Sequence, residues 1–251
     1  MEITKLYKKY RRFELCLESL SFEKCGLVGL LGDNGAGKTT MMNILSGKID
    51  ANTLEVSAFG GDKIYGEPRT YQNSFYISSA TKYYGKLSAI IGDFEQLFNG
   101  FDTEKCKQIT SQFNLDLKTR YSKLSQGMQA QFKLALVIAL PVKVLYLDEI
   151  TNGLDTSSRA IILEQIKAIS SEKLVFLSTH ILDKNTTFFD RVIFLDKGKI
   201  VFDVSKNQTL IKVNGEYKVV DVSDANDSES YDVVEVYKSF SEDKARSVLY
   251  E

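Results

Sequence analysis

Residues 26–40 read GLVGLLGDNGAGKTT: a short apolar run enters a glycine-rich turn, and the turn closes on Gly37-Lys38-Thr39-Thr40. Such a run, bounded by turn residues, fits a strand buried on both faces of a sheet. Apolar residues resume in MMNIL, so a helix is expected from Thr39 to Leu45. Gly32 to Thr39 matches G-x-x-x-x-G-K-[ST] between a strand and a helix, the arrangement that cradles a phosphate. Glycines at 32, 35 and 37 let the backbone through Asn34 and Ala36 wrap closely enough to aim N–H groups at phosphate oxygens. Lys38 is expected to reach the β- and γ-phosphates, and the Thr39 hydroxyl to help hold Mg²⁺, with Thr40 beside it. A glycine turn with an exposed lysine is the plain alternative. The flanking strand and helix speak against it.

Working outward, strand-like segments recur at FELCLESLSF, GLVGLLG, VLYLDE, LVFLST and RVIFLD. Helical patterns lie between them, at Thr39–Leu45, about Ser125–Leu140 and about Ser157–Ser170. Strand alternating with helix predicts an α/β core with a mainly parallel sheet. Residues from about 84 to 123 break that rhythm: IIGDFEQLF and EKCKQITSQFNL carry helical spacing with no buried strand between them. They read as a small helical insertion in a first domain spanning residues 1–205. Residues 206–251 form an acidic C-terminal extension with two alternating stretches, EYKVVDV and YDVVEVYKSF, fitting either a small β appendage or a flexible end.

The bulk properties bound the function. A chain of 251 residues with 43% hydrophobic content can bury a substantial core. Its net charge of -1 lacks the basic footprint of a nucleic-acid binder, so no nucleic-acid partner is expected. Cys16, Cys25 and Cys106 form no C-x-x-C pair, which fits a reducing cytosol. The N-terminal MEITKLYKKYRRF has no apolar leader core. The longest strongly apolar run, LALVIAL at 134–140, is far short of the roughly 20 residues that cross a bilayer. Any membrane contact is therefore expected to come through a partner.

VLYLDEITNGLD, residues 144–155, supplies the carboxylates. Asp148 falls at the end of a buried strand, where it can share Mg²⁺ with Thr39. Glu149 follows, placed to orient or deprotonate an attacking water. Here the sequence resembles the ATP-binding subunits of ABC transporters. The family's P-T-x-x-L-D run stands as Ile150-Thr151-Asn152-Gly153-Leu154-Asp155, without the proline. The resemblance implies that Asp155 helps couple two nucleotide sites across a dimer, while a turn opening a helix is its local reading.

KLSQGMQAQFKLALVIAL, residues 123–140, resembles the family signature L-S-G-G-Q in the form Leu124-Ser125-Gln126-Gly127-Met128. Serine there caps the following helix, and glycine permits close approach of a second molecule's phosphate. The resemblance implies that Ser125 and Gly127 face the γ-phosphate held by a second ATPase subunit, of the same or a related chain. Met128 replaces the usual glutamine, a form similar to exporter ATPases whose integral membrane permease is a separate chain. The family thus implies a P-loop NTPase of ABC type, with ATP and Mg²⁺ as cofactors. It would sit in the cytoplasm, peripheral on the inner face of the cell membrane through the permease. Its cargo would be exported: a peptide, drug or lipid-like compound.

Three further positions follow from the resemblance. His180, the protein's single histidine, lies just past LVFLST and matches the switch histidine that links the γ-phosphate to Glu149. Tyr10 matches the aromatic that stacks on adenine. Ser79 falls where the family carries glutamine, or sometimes glutamate, touching Mg²⁺ and the permease; weakened coupling there would make Ser79→Gln raise permease-stimulated ATPase activity. A soluble ABC ATPase acting on ribosomes or nucleic acid is the alternative function. A small-molecule kinase or GTPase would leave the signature, Glu149 and His180 together without a purpose.

Overall fold

The computed structural model describes residues 1–57, 73–179, 188–213, 216–225, 230–231 and 235–236. In chain order the first half supplies β1 (Glu2–Lys9), β2 (Glu14–Ser21), β3 (Gly26–Leu31), α1 (Lys38–Leu45), β4 (Thr53–Ser57), β5 (Ser74–Ser78), α2 (Leu87–Leu97) and α3 (Thr103–Gln112). The second half adds α4 (Gln126–Ala139), β6 (Val144–Asp148), α5 (Thr156–Ile169), β7 (Leu174–Ser178), β8 (Arg191–Asp196), β9 (Lys199–Ser205), β10 (Gln208–Val213), β11 (Glu216–Asp221) and β12 (Ser230–Tyr231).

The continuous apolar runs become the middle of a six-stranded sheet in the order β5-β6-β7-β3-β8-β9. Its first five strands are parallel, and β9 closes one edge antiparallel to β8. Every residue of β6 and β7 is buried, because both faces of these strands are covered. Successive side chains serve different cores. Leu145 and Leu147 pack with α4 and α5 residues such as Leu134 and Ile162. Val144 and Tyr146 pack on the other face with Met42 of α1 and Leu6 and Leu15 of β1 and β2. The second face is roofed by the antiparallel sheet β2-β1-β4.

α2 and α3 occupy the stretch 84–123, followed by a 3-10 turn at Tyr121–Lys123; its only strand-like feature among the described residues is an isolated bridge between Lys86 and Arg120. β1 carries no strand pattern in the sequence, for a definite reason. A register shift between Ile3 and Lys5 breaks its period of two, so Ile3 and Leu6 are the buried pair at a helix-like spacing. In the C-terminal stretch, β10 pairs with β11 and β12. Within YDVVEVYKSF the described residues are Tyr231, in β12, and Glu235 and Val236, which are helical. Val236 and Leu210 are buried in the same apolar cluster as Phe194 and Phe202, which attaches this end to the central sheet.

Parallel strands bring their C-terminal ends to one edge, where open α/β sheets bind ligands. Register places Ser78, Asp148 and Ser178 side by side there, with Leu30 opposite Ser178 and the glycine loop rising from β3.

Candidate nucleotide site

The loop from Gly32 to Gly37 keeps a shape that side chains would prevent. Gly32 has φ +145°, and a Cβ there would lie 2.3 Å from the Leu195 carbonyl oxygen. Gly37, with φ +114°, packs where a Cβ would meet Leu15 Cδ1 and Phe13 Cζ at 3.0 Å each. Directly after it α1 opens with no side chain capping its N-terminus, which leaves amides for an anion. Lys38 is buried, and its Nζ donates to the carbonyl oxygens of Gly32 at 2.6 Å and Asp33 at 3.1 Å. Burial lowers its pKa, and the negative charges of Glu149, Asp148 and Asp33 oppose that shift. Ala36 is buried, with its N–H donated to the Asp33 carbonyl, so it shapes the loop from beneath.

Thr39 Oγ1 donates to Asp148 Oδ2 at 2.8 Å, joining the loop to the end of β6. Two more hydroxyls converge on the same carboxylate. Tyr76 Oη donates to Oδ2 at 2.7 Å, and Ser178 Oγ donates to Oδ1. Asp148 is buried, and three donors offset the cost of holding a carboxylate there. Desolvation, reinforced by the bond to Asp148, pushes the Tyr76 phenol up, so it stays a proton donor. Neither Tyr76 nor Ser178 stands out in the sequence; both reach Asp148 from the strands that flank β6.

Glu149 leaves the strand at φ +54°, a left-handed conformation held from both sides. Its N–H points at Ser178, 3.0 Å from Oγ and 3.3 Å from the carbonyl oxygen. Asn152 Nδ2 donates to Glu149 Oε2 at 3.0 Å, fixing the carboxylate.

A cavity of about 490 Å³ opens over this group, lined by Asn34, Gly35, Lys38, Thr39, Thr40 and Glu149 and bounded by Tyr10, Arg12, Phe13 and Gly37. Tyr10 stands at the mouth, 42% exposed, with its ring 6.3 Å from that of Phe13. Lys8 Nζ lies over the same ring, 5.5 Å from its centroid. For a metal, the donors are the Thr39 hydroxyl and the Asp148 carboxylate, both hard oxygens. No group of three or more His, Cys, Asp or Glu suited to a metal occurs among the described residues. That donor set fits Mg²⁺ shared with phosphates and water, and does not fit a closed protein cage.

Ser125, Gly127 and Asp155 do not line this cavity. Ser125 caps α4, accepting from the Met128 N–H at 3.2 Å, and is exposed. Asp155 caps α5 through the Ser158 N–H at 3.0 Å. Hydrogen bonds from Ser157 and then Ser158 hold its carboxyl well below the usual range. The two caps share one face, since a Cβ on Gly127 would meet Ser158 Oγ at 3.2 Å, and one on Gly153 would meet Gln126 Oε1 at 3.0 Å. His180 lies outside the described residues. Ser79 is exposed; its N–H donates to the Asp148 carbonyl at 3.0 Å.

A family model described as ABC transporter matches residues 18–152, from β2 through the phosphate loop and the signature to Glu149 and Asn152. The chain belongs to the ABC transporter family. An uncharacterized ABC transporter ATP-binding protein of Methanocaldococcus jannaschii is 31% identical over 196 residues, covering 77% of this chain and 73% of its own. The ABC transporter ATP-binding protein YtrB of Bacillus subtilis is 26% identical, over 72% of this chain and 63% of its own length. This chain thus spans a little under two thirds of YtrB. CCR4-associated factor 16 of Saccharomyces cerevisiae is 28% identical over 74% of this chain and 73% of its own. Among solved structures, the dimeric structure of a bacterial ABC transporter cassette superposes with a TM-score of 0.69 at 17% identity, over 82% of this chain and 98% of that one. The fold is that of a P-loop ABC ATPase, and the chain is an ATP-binding ATPase of this family.

Proposed function

We propose that the chain powers a separate integral membrane permease, pairing head to tail with a second ATPase subunit around two ATP molecules. The observation that carries this reading is the joining of Thr39, Asp148 and Glu149 at one edge, while Ser125, Gly127 and Asp155 lie together outside the cavity. A site with its phosphate loop and carboxylates in place, and its signature turned elsewhere, is completed by another subunit. Lys38 and the loop amides would neutralise the phosphates, giving up the present bonds to Gly32 and Asp33. Glu149, held by Asn152, would orient the water that attacks the γ-phosphate. Thr39 and Asp148 would hold Mg²⁺, which supplies charge neutralisation at the phosphates when bound.

No helix among the described residues is long and apolar enough to cross a membrane. In this reading the chain works in the cytoplasm, held on the inner face of the membrane by the permease, and drives export of a peptide, drug or lipid-like compound. Residues 1–205 would form the ATPase domain, with 84–123 as its helical insertion and 206–251 as an extension. The yeast relative carries a name that refers to association with CCR4. It keeps open a soluble ABC ATPase acting on ribosomes or nucleic acid as a second reading.

Tagged Glu149→Gln protein, loaded with ATP and isolated from detergent-solubilised membranes of its host, separates the two. Recovery of an integral membrane protein is the expected result. Recovery of ribosomes, nucleic acid or soluble proteins alone would overturn the transport reading and leave the ATPase intact.

A further inference from the structure

Lys133 lies two turns beyond the Ser125–Gly127 segment on α4, and only 2% of it is exposed. An aliphatic residue would fill a helix interior there without the cost of burying an ammonium. Its Nζ instead donates to two successive backbone carbonyls, Ser78 at 3.0 Å and Ser79 at 2.7 Å, some 55 and 54 residues away in sequence. Those carbonyls belong to the turn that leaves β5.

The same turn is bonded to the catalytic edge. Ser78 pairs in register with Asp148, and the Ser79 N–H donates to the Asp148 carbonyl. Thr81 Oγ1 accepts from the Ser78 N–H at 3.1 Å and lies 3.2 Å from its hydroxyl. One peptide unit therefore separates the Lys133 ammonium from the main chain of Asp148, and Glu149 is the next residue.

We propose that Lys133 is a positioning residue that clamps the Ser78–Ser79 turn to α4, so that the placing of α4 sets the placing of Asp148 and Glu149. The clamp acts on the backbone, through the Ser78 and Ser79 carbonyls. It rests on the reading of this chain as an ATP-hydrolysing subunit. Burial alone lowers the Lys133 pKa, to about 8, so the group gives up solvation in exchange for those two carbonyls. A lysine serving only to hold the fold would affect stability and leave turnover in the folded protein untouched.

The test compares purified full-length wild type, Lys133→Met and Lys133→Arg for ATP affinity and steady-state turnover. Methionine keeps the length and removes the donors. Its kcat is expected to fall at least tenfold with the Kd for ATP within threefold, because the phosphate loop is untouched. Arginine, which restores donors to the turn, is expected to bring kcat back to within threefold of wild type. A Lys133→Met kcat within twofold of wild type would overturn the clamp, as would an arginine variant as slow as the methionine one. If Lys133→Met does not fold, Lys133→Leu, which also lacks a donor, is scored by the criteria set for methionine. An inactive wild type would overturn the ATPase reading together with the clamp; an active wild type matched by an active Lys133→Met overturns the clamp alone.

Discussion

Thr39 Oγ1 and Asp148 Oδ2 stand 2.8 Å apart although 109 positions separate them in sequence. The hydroxyl belongs to the first turn of α1 and the carboxylate to the last residue of β6, so this bond fixes the phosphate loop against the carboxylate edge. Thr39→Val keeps the shape of the side chain and removes the donor. It is expected to lower phosphate release by about 10- to 100-fold at low Mg²⁺, a loss of roughly 1.4–2.8 kcal/mol in the barrier. Part of the activity should return as Mg²⁺ is raised. Phosphate release titrated against Mg²⁺ checks this; equal rates for variant and wild type would remove Thr39 from the metal site.

Gly37 carries the loop into α1 at φ +114°, with Leu15 and Phe13 packed against its Cα hydrogen. Alanine would have to adopt a left-handed conformation and displace both side chains at once. Gly37→Ala should destabilise the fold by about 1–3 kcal/mol and abolish ATP binding by reshaping the cradle. Urea unfolding and an ATP titration measure the two effects. Unchanged stability together with wild-type affinity would contradict the conformation described for this loop.

The buried Lys133 makes stability depend on pH in a stated direction. Its folded-state pKa is lowered to about 8 from an ordinary 10.5, so between those values the unfolded chain binds more protons than the folded one. Its contribution to stability therefore rises with pH across that window, and below about pH 8 the cost of burying the charge is fully present. Urea unfolding of wild type and Lys133→Met at pH 7 and pH 10 isolates the effect, because other groups titrate in both. The difference between the two proteins should move in favour of wild type by about 2 kcal/mol. A difference independent of pH would place the ammonium in water.

The glycine loop, the strand bearing Asp148 and the capped helix at Ser125 were legible in the sequence because each depends on local chemistry. Glycine is required at 32 and 37, where a positive φ coincides with no room for a Cβ; continuous apolar runs belong to strands covered on both faces, and serine caps a helix. Tyr76 and Ser178 were not legible. Their contact with Asp148 comes from parallel register, which no local pattern announces. β1 escaped because its bulge replaces alternation with a three-residue step. Lys133 escaped for a different reason: a lysine in a helix reads as solvated until the turn from β5 is seen to supply its carbonyls. His180 falls outside the described residues, and the resemblance alone carries its role; much of the C-terminal stretch also falls outside them, and the resemblance does not reach it.

The central claim is that two subunits complete each nucleotide site. The most direct measurement is the molar mass of Glu149→Gln protein in solution with ATP and Mg²⁺, compared with ADP and Mg²⁺. The account predicts a dimer holding two ATP molecules with the first pair and a monomer with the second. It also predicts that replacing Ser125 by a bulky residue abolishes the dimer while each chain still binds ATP. A Glu149→Gln protein that binds ATP and stays monomeric, or a dimer indifferent to Ser125, would contradict it.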